Sequence, residues 1–313
     1  MGTASIAGLP HVQRALLKWH RERGMQAPWR ESGNPYEVLV AAVMAQQTQM
    51  SRVMPSYERF VAAFPTVESL AAASPGDVIR VWAGMGYNRR AIRLHRAART
   101  IVAGGWPHDA ASLAMIDGIG PFTAAIIASF AFGEAAACVD TNVRRVLGRL
   151  AGDEGIDGKR LQSLADAALA VREPARWNQA LMDYGARVCG IRPKCSECVV
   201  ARWCASPREQ ASANDATPAP LLRLADERGT YGAKPQARKP QQKFEGSARW
   251  WRGRIVAVLR ALPAGESMTL AKLRATLSRE GDAPPPDELE TLVSALESHG
   301  LLEVRGKRLA LPE

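Results

Sequence analysis

Four cysteines, Cys189, Cys195, Cys198 and Cys204, follow one another as C-x5-C-x2-C-x5-C after an apolar, helix-patterned segment. Thiolates this close in sequence can wrap a compact 4Fe-4S cluster; zinc is the competing reading, because a tetrahedral ion also takes four thiolates. A set of this kind reads as a metal or cluster site rather than a disulfide framework. The fifth cysteine, Cys138, stands apart. Arg187, Arg192, Lys194 and Arg202 flank or interleave with the cysteines, so the loop can present positive charge to a phosphate backbone while the metal holds its shape.

A second constellation is Ile116 to Ala124, IDGIGPFTA, between two helical segments. Gly118 and Gly120 permit backbone angles closed to other residues, and Pro121 suits the first turn of the next helix. Such a hairpin points N–H groups outward at a helix N-terminus, which makes a phosphate site with no sequence preference. A plain helix-turn-helix with a glycine turn carries the same letters. A third is Val139 to Arg145, VDTNVRR, where Asp140 opens a helix. Asp is among the preferred N-caps, so Asp140 read alone is a structural cap, with Asn142 and Arg144 as ordinary first-turn residues.

The elements that must position these residues are helices. From Val12 to about Cys204 apolar residues recur at three- and four-residue spacing, with Pro and Gly at the joints, and nothing alternates like a strand. Val38 to Ala45 is apolar on every side and predicts a central helix; Arg89 to Val102 predicts an amphipathic one with a basic face. Residues 205–246 lose periodicity and read as a basic linker. Residues 247–313 regain it: helices are predicted at about Trp250 to Leu262, Thr269 to Ser278 and Asp287 to His299, then a hairpin around Arg305, Gly306 and Lys307. Three helices and a hairpin predict a small winged-helix-like domain, either a nucleic-acid contact or a protein-docking module. The organisation expected is therefore a mainly α domain at 1–204, with the cysteine loop at 189–204, a linker at 205–246 and a second domain at 247–313.

The chain has 313 residues, and 41 Lys and Arg against 31 Asp and Glu leave a net charge of +10, which points to a polyanionic partner. No apolar run is long enough to span a membrane, and Met1 to Pro10 lack the pattern of a secretory signal. The expectation is a cytoplasmic, nucleoid-associated protein without membrane contact.

Together these segments resemble the helix-hairpin-helix DNA glycosylases, and within them the MutY-like adenine DNA glycosylases more than the endonuclease III type. The resemblance is carried by PWR at Pro28 to Arg30, VMAQQTQ at Val43 to Gln49, FPTVESLA at Phe64 to Ala71, WAGMGY at Trp82 to Tyr87, the glycine hairpin, VDTNVRRVL at Val139 to Leu147 and the cysteine run. It implies a helix-hairpin-helix glycosylase fold with an iron-sulfur loop. It makes Asp140 the catalytic carboxylate that stabilises an oxocarbenium ion or directs water to it, supported by Asn142. It makes Gln47 a residue that wedges into the duplex and Tyr87 one that stacks in the opened step, with Gly118, Gly120 and Phe122 at the DNA contact. The four cysteines become cluster ligands. The C-terminal part resembles the short tail of some actinobacterial members, not the larger domain that reads 8-oxoguanine.

The sequence departs from that pattern in three places. The family's adenine enzymes carry a catalytic Glu immediately before Val43 and Met44, where this chain has Ala42; Glu37 is not its equivalent. Phe122 stands where many relatives have Tyr or Ser and where endonuclease III has its lyase Lys. The first cysteine spacing is one residue shorter than the family's usual six. The expected function is a monofunctional DNA glycosylase of base-excision repair, acting as a monomer on double-stranded DNA with a mismatched or damaged base. Without the acid that protonates adenine N7, excision of uracil, mismatched thymine or an alkylated purine is one alternative. A DNA lesion or structure sensor that has lost catalysis is the other.

Overall fold

The computed structural model describes residues 5–206, 244–279 and 283–313. Residues 207–243 of the expected linker lie outside them. In chain order the first helices are α1 (Leu9–Arg23), α2 (Pro28–Glu31), α3 (Pro35–Ala45), α4 (Met50–Ala63), α5 (Val67–Ala72), α6 (Pro75–Val81) and α7 (Arg89–Gly104). There follow α8 (Ala110–Leu113), α9 (Pro121–Phe132), α10 (Thr141–Ala151), α11 (Gly158–Ala167) and α12 (Pro174–Arg187). The C-terminal part holds α13 (Ala248–Arg260), β1 (Met268–Thr269), α14 (Leu270–Ser278), α15 (Pro286–Ser298), β2 (Glu303–Arg305) and β3 (Arg308–Ala310). Among the described residues no helix is long and apolar enough to cross a membrane.

The described residues fall into two compact units: residues 5–51 with 106–206, and residues 52–105 with those from 244 onward. In the first, α1 packs on α12, α10 on α12 and α3 on α9. The all-apolar stretch of α3 is buried from Val38 to Met44, as a central helix must be. Asn34 caps it by accepting from Tyr36 N at 2.9 Å, with Pro35 in the first turn. Helix α10 is amphipathic and sets Val143, Val146, Leu147 and Leu150 into a core with Leu16, Trp177, Leu181 and Tyr184. Gly152, in the left-handed conformation, ends it.

In the second unit, α5 and α6 pack on α7, and the C-terminal helices share one core with them: Ile79 and Ile92 cluster with Trp251, Ile255, Leu259, Leu273 and Leu296. Polar bonds reinforce the join. Arg80 donates to the carbonyls of Arg260 at 2.8 Å, Leu262 at 2.5 Å and Pro263 at 3.3 Å, satisfying acceptors that the end of α13 leaves open. Gly76 N donates to Pro312 O at 2.7 Å. The predicted hairpin forms as β2 and β3, antiparallel with Val304 opposite Leu309. It gains a third strand that the sequence reading missed, β1, which pairs with β3 through Met268 and Leu309. The basic face of α7 is smaller than predicted: Arg89, Arg96 and Arg99 are exposed, whereas Arg90 is buried and donates to the carbonyls of Met85 and Gly86.

Candidate active site

Asp140 is the N-cap of α10, and its side chain fills the role that its letter alone predicts: Oδ1 accepts from the backbone N–H groups of Asn142 at 2.9 Å and Val143 at 2.7 Å. The second oxygen does more than cap. Oδ2 accepts from Asn142 Nδ2 at 3.1 Å, so the two residues that the resemblance singles out are locked together. Asp140 is 1% exposed, and burial pushes its carboxyl up; the Val143 and Asn142 donors and the nearby Arg145 pull it back.

Asn142 is held from its other side by Arg145, whose Nη2 donates to Asn142 Oδ1 at 2.8 Å and to Gly185 O at 2.5 Å, while Nε donates to Cys189 O at 2.7 Å. Gly185 lets α12 approach this closely, since a Cβ there would lie 2.7 Å from Asn142 Cβ. One guanidinium thus ties the N-terminus of α10 to the start of the cysteine loop. Nothing in VDTNVRR distinguishes Arg145 from Arg144, so the sequence reading passed over it.

Asn142 also lines a cavity of about 310 Å³ within the first unit. Its wall is mostly apolar, with Val38, Ala41, Ala42 and Ala45 from α3 and Phe122 and Ile126 from α9; the polar lining residues are Asn142, Arg30, Asp183 and Arg187. Asp140 does not line it. Arg30 forms a fork on Asp183, Nη1 to Oδ2 at 2.8 Å and Nη2 to Oδ1 at 2.9 Å, and Met25 N adds a third donor at 2.7 Å. His20 Nε2 lies 3.4 Å from Oδ2. Burial alone would raise the Asp183 carboxyl; His20, Arg30 and the Met25 N–H together hold it well below the usual carboxylate range. Arg30 stood in the PWR match without a role, and Asp183 carried no signal: nothing local marks an aspartate whose partners lie 153 and 158 residues away.

Among the described residues, Gln47 and Tyr87 are the two non-glycine residues with positive φ, at 53° and 47°. Both are exposed, Gln47 just beyond the end of α3 in the first unit and Tyr87 before α7 in the second. Backbone strain of this kind persists where the surroundings enforce it and clusters at functional sites. Gly118 adopts φ 93°, the angle for which the hairpin was predicted to need glycine. Gly120 does not: it caps α9 at φ −80°, open to any residue, and a Cβ there would meet nothing within 4 Å.

Cys189, Cys198 and Cys204 pack, partly buried, against the core of the first unit. Tyr184 Oη donates to Cys198 Sγ at 3.1 Å and accepts from Val199 N at 2.9 Å; Arg149 Nη1 lies 3.6 Å from Cys189 Sγ. Burial pushes the Cys189 thiol up, while Arg149 and Arg145 favour its thiolate. The donor chemistry suits a group bound by thiolates. No three such side chains among the described residues are drawn together into a ligand set.

Residues 40–168 match the HhH-GPD superfamily of base excision DNA repair proteins. An adenine DNA glycosylase of Mycobacterium tuberculosis is 35% identical over 271 residues, which covers 82% of this chain and 81% of that protein. Among solved structures, a thermostable thymine-DNA glycosylase superposes with a TM-score of 0.59 at 26% identity, over 63% of this chain and 95% of that one. A trapped endonuclease III–DNA covalent intermediate gives 0.55 at 21% identity, over 64% and 97%, a likeness of fold. The chain belongs to the adenine DNA glycosylase family of the HhH-GPD superfamily and is a DNA N-glycosylase.

Proposed function

We propose that the protein extrudes one base from duplex DNA and hydrolyses its N-glycosidic bond, with Asp140 stabilising the developing oxocarbenium ion or directing water to it and Asn142 as its support. The observation that carries this reading is the pair itself: a carboxylate fixed by three donors at a helix N-terminus, whose partner Asn142 lines a cavity large enough for a base. Donors already in place hold the negative charge without reorganisation during the reaction. Phe122, and the absence of a lysine from the cavity lining among the described residues, support base release without strand cleavage. The abasic strand then stays uncut until alkali is added.

The same cavity favours a second reading, of the leaving group. Ala42 offers no acid, and Asp183, the one carboxylate among the described lining residues, is held ionised by Arg30 and has no proton to give. Adenine leaves poorly unless N7 is protonated. The lining therefore favours uracil, mismatched thymine or an already cationic alkylated purine, while the adenine glycosylase relatives favour adenine. A base-release assay on duplexes carrying A:8-oxoG, A:G, T:G, U:G, hypoxanthine and alkylated purines separates the two. Release from none of them would leave a DNA-binding protein without catalysis.

Cys189, Cys195, Cys198 and Cys204 are proposed to hold a 4Fe-4S cluster, with zinc the alternative, and the group to fix the shape of a loop carrying Arg192, Lys194 and Arg202. Iron and sulfide in anaerobically purified protein are expected; zinc without iron would overturn the cluster.

A further inference from the structure

The ring of Tyr87 is held by two arginines from different segments of the second unit. Arg249, exposed in the first turn of α13, places its guanidinium carbon 3.9 Å from the ring centroid. Buried Arg90 lies at 5.3 Å from the same ring and 5.4 Å from that of Trp82. Tyr87 is nevertheless 39% exposed. A residue of the C-terminal segment is thus in contact with the residue proposed to enter the opened base step.

Charge is distributed unevenly over that segment. Helix α13 carries Arg249, Arg252, Arg254 and Arg260 and no acid, whereas α15 carries Asp287, Glu288, Glu290 and Glu297 and no base. The helix order resembles that of DNA-binding helix-turn-helix domains, in which a late recognition helix enters the major groove. Here that helix, α15, would bring four carboxylates to a polyanion. In the wing, Arg305 is already paired with Glu303 and Glu313, each at 2.9 Å, which leaves Lys307 and Arg308 as its exposed cations.

We infer that the C-terminal segment meets duplex DNA through the start of α13, with Arg249 contacting the phosphodiester backbone beside the step that Tyr87 enters, and that α15 stays off the DNA. This rests on the reading of Tyr87 as the stacking residue. Arg249 suits both tasks, since a guanidinium stacks on an aromatic face through its plane and keeps its edge N–H groups for a phosphate. Its contact carries no base information, so it strengthens binding equally on every sequence.

The test uses the full chain and a duplex containing a tetrahydrofuran abasic analogue, with 2-aminopurine at the neighbouring position. Loss of one phosphate contact lowers the slope of log affinity against log salt by about 0.9. Arg249→Met is expected to lose that amount, Arg249→Lys to keep the slope, and Glu288→Gln with Glu290→Gln to leave it unchanged. An unaltered slope in Arg249→Met, or a changed one in the α15 double variant, overturns the inference. Tyr87→Ala is expected to abolish the rise in 2-aminopurine fluorescence on binding. If the rise persists in Tyr87→Ala while Arg249→Met still loses its slope, the reading of Tyr87 is what fails, and with it the placement beside the step.

Discussion

Arg145 donates to the main-chain oxygen of Cys189 at 2.7 Å, and the same guanidinium reaches Asn142 Oδ1 at 2.8 Å. The proposed catalytic pair and the cysteine loop therefore share one cation, and disturbing either end displaces the other. Hydrogen bonds to a charged group contribute roughly 1.5–3 kcal/mol each, and they do not add when made by one side chain. Arg145→Met should destabilise the protein by roughly 2–4 kcal/mol in urea unfolding and slow base release in the fraction that remains folded. Arg145→Lys keeps the charge but loses the fork, so its values should fall between. Wild-type stability and rate in Arg145→Met would show the link to be idle.

Asp140→Asn should separate binding from chemistry. Asparagine caps a helix as well as aspartate, and its oxygen can still accept from the backbone N–H groups of Asn142 and Val143, so the helix start should hold, although its amide nitrogen replaces the oxygen that accepts from Asn142 Nδ2. The rate should drop about 10²–10³-fold or more, with duplex affinity within a few-fold of wild type. The pH profile adds a sign. Because burial raises the Asp140 carboxyl, the ionised form that chemistry requires is lost at higher pH than for an exposed aspartate. The acid limb of base release should therefore lie above about 3.9. The same shift means that ionised Asp140 costs folding free energy above its unfolded value. Base release undiminished in Asp140→Asn, or an acid limb at the ordinary carboxylate value, would contradict this account.

Asp183 shows the opposite sign. Its folded carboxyl is depressed, so it stabilises the fold fully above the unfolded value of about 3.9 and loses that contribution as pH falls toward the folded value. Asp183→Asn would leave Arg30, whose side chain is 10% exposed, without its counter-charge. Breaking a buried pair in this way costs roughly 3–5 kcal/mol. Urea midpoints measured from pH 7 to pH 3 should fall for wild type at the acid end and be lower and flatter for Asp183→Asn. Parallel curves for the two proteins would place the acid sensitivity elsewhere.

What the sequence made legible was local. Asp140 announced a helix start and the apolar run from Val38 announced a central helix, because each signal lies within a turn or two of chain. Contacts across long separations left no such trace. Asp183 looks like any polar residue of an amphipathic helix until Arg30 is folded against it. Ile79 and Ile92 gave no hint that they share a core with Trp251 and Leu296. The strand β1 is two residues long, too short for alternation to register. Arg90 has the same letter as Arg89 and Arg93 on a helix predicted to carry a basic face, and only the fold turns it toward the carbonyls of Met85 and Gly86.

Position 42 is where the proposed choice of leaving group can be tested. Ala42 is 7% exposed on α3 and faces the cavity among Val38, Ala41 and Ala45, with Arg30 on the same lining. Introducing a carboxyl there costs roughly several kcal/mol if it finds no partner, so Ala42→Glu must first be shown to fold by urea unfolding. In the folded variant, release of adenine opposite 8-oxoguanine should rise, while release of bases that need no protonation should stay level or fall. Positioned proton transfer contributes typically 10²–10⁴-fold, so the gain should be large if the acid is well placed. Ala42→Gln supplies the control, since it has nearly the same volume and no proton to donate, and should leave adenine release unchanged. An equal gain in Ala42→Gln would assign the effect to the shape of the pocket. Robust excision of adenine by the wild type, unimproved by Ala42→Glu, would mean that the chemistry draws its proton from a source other than this wall.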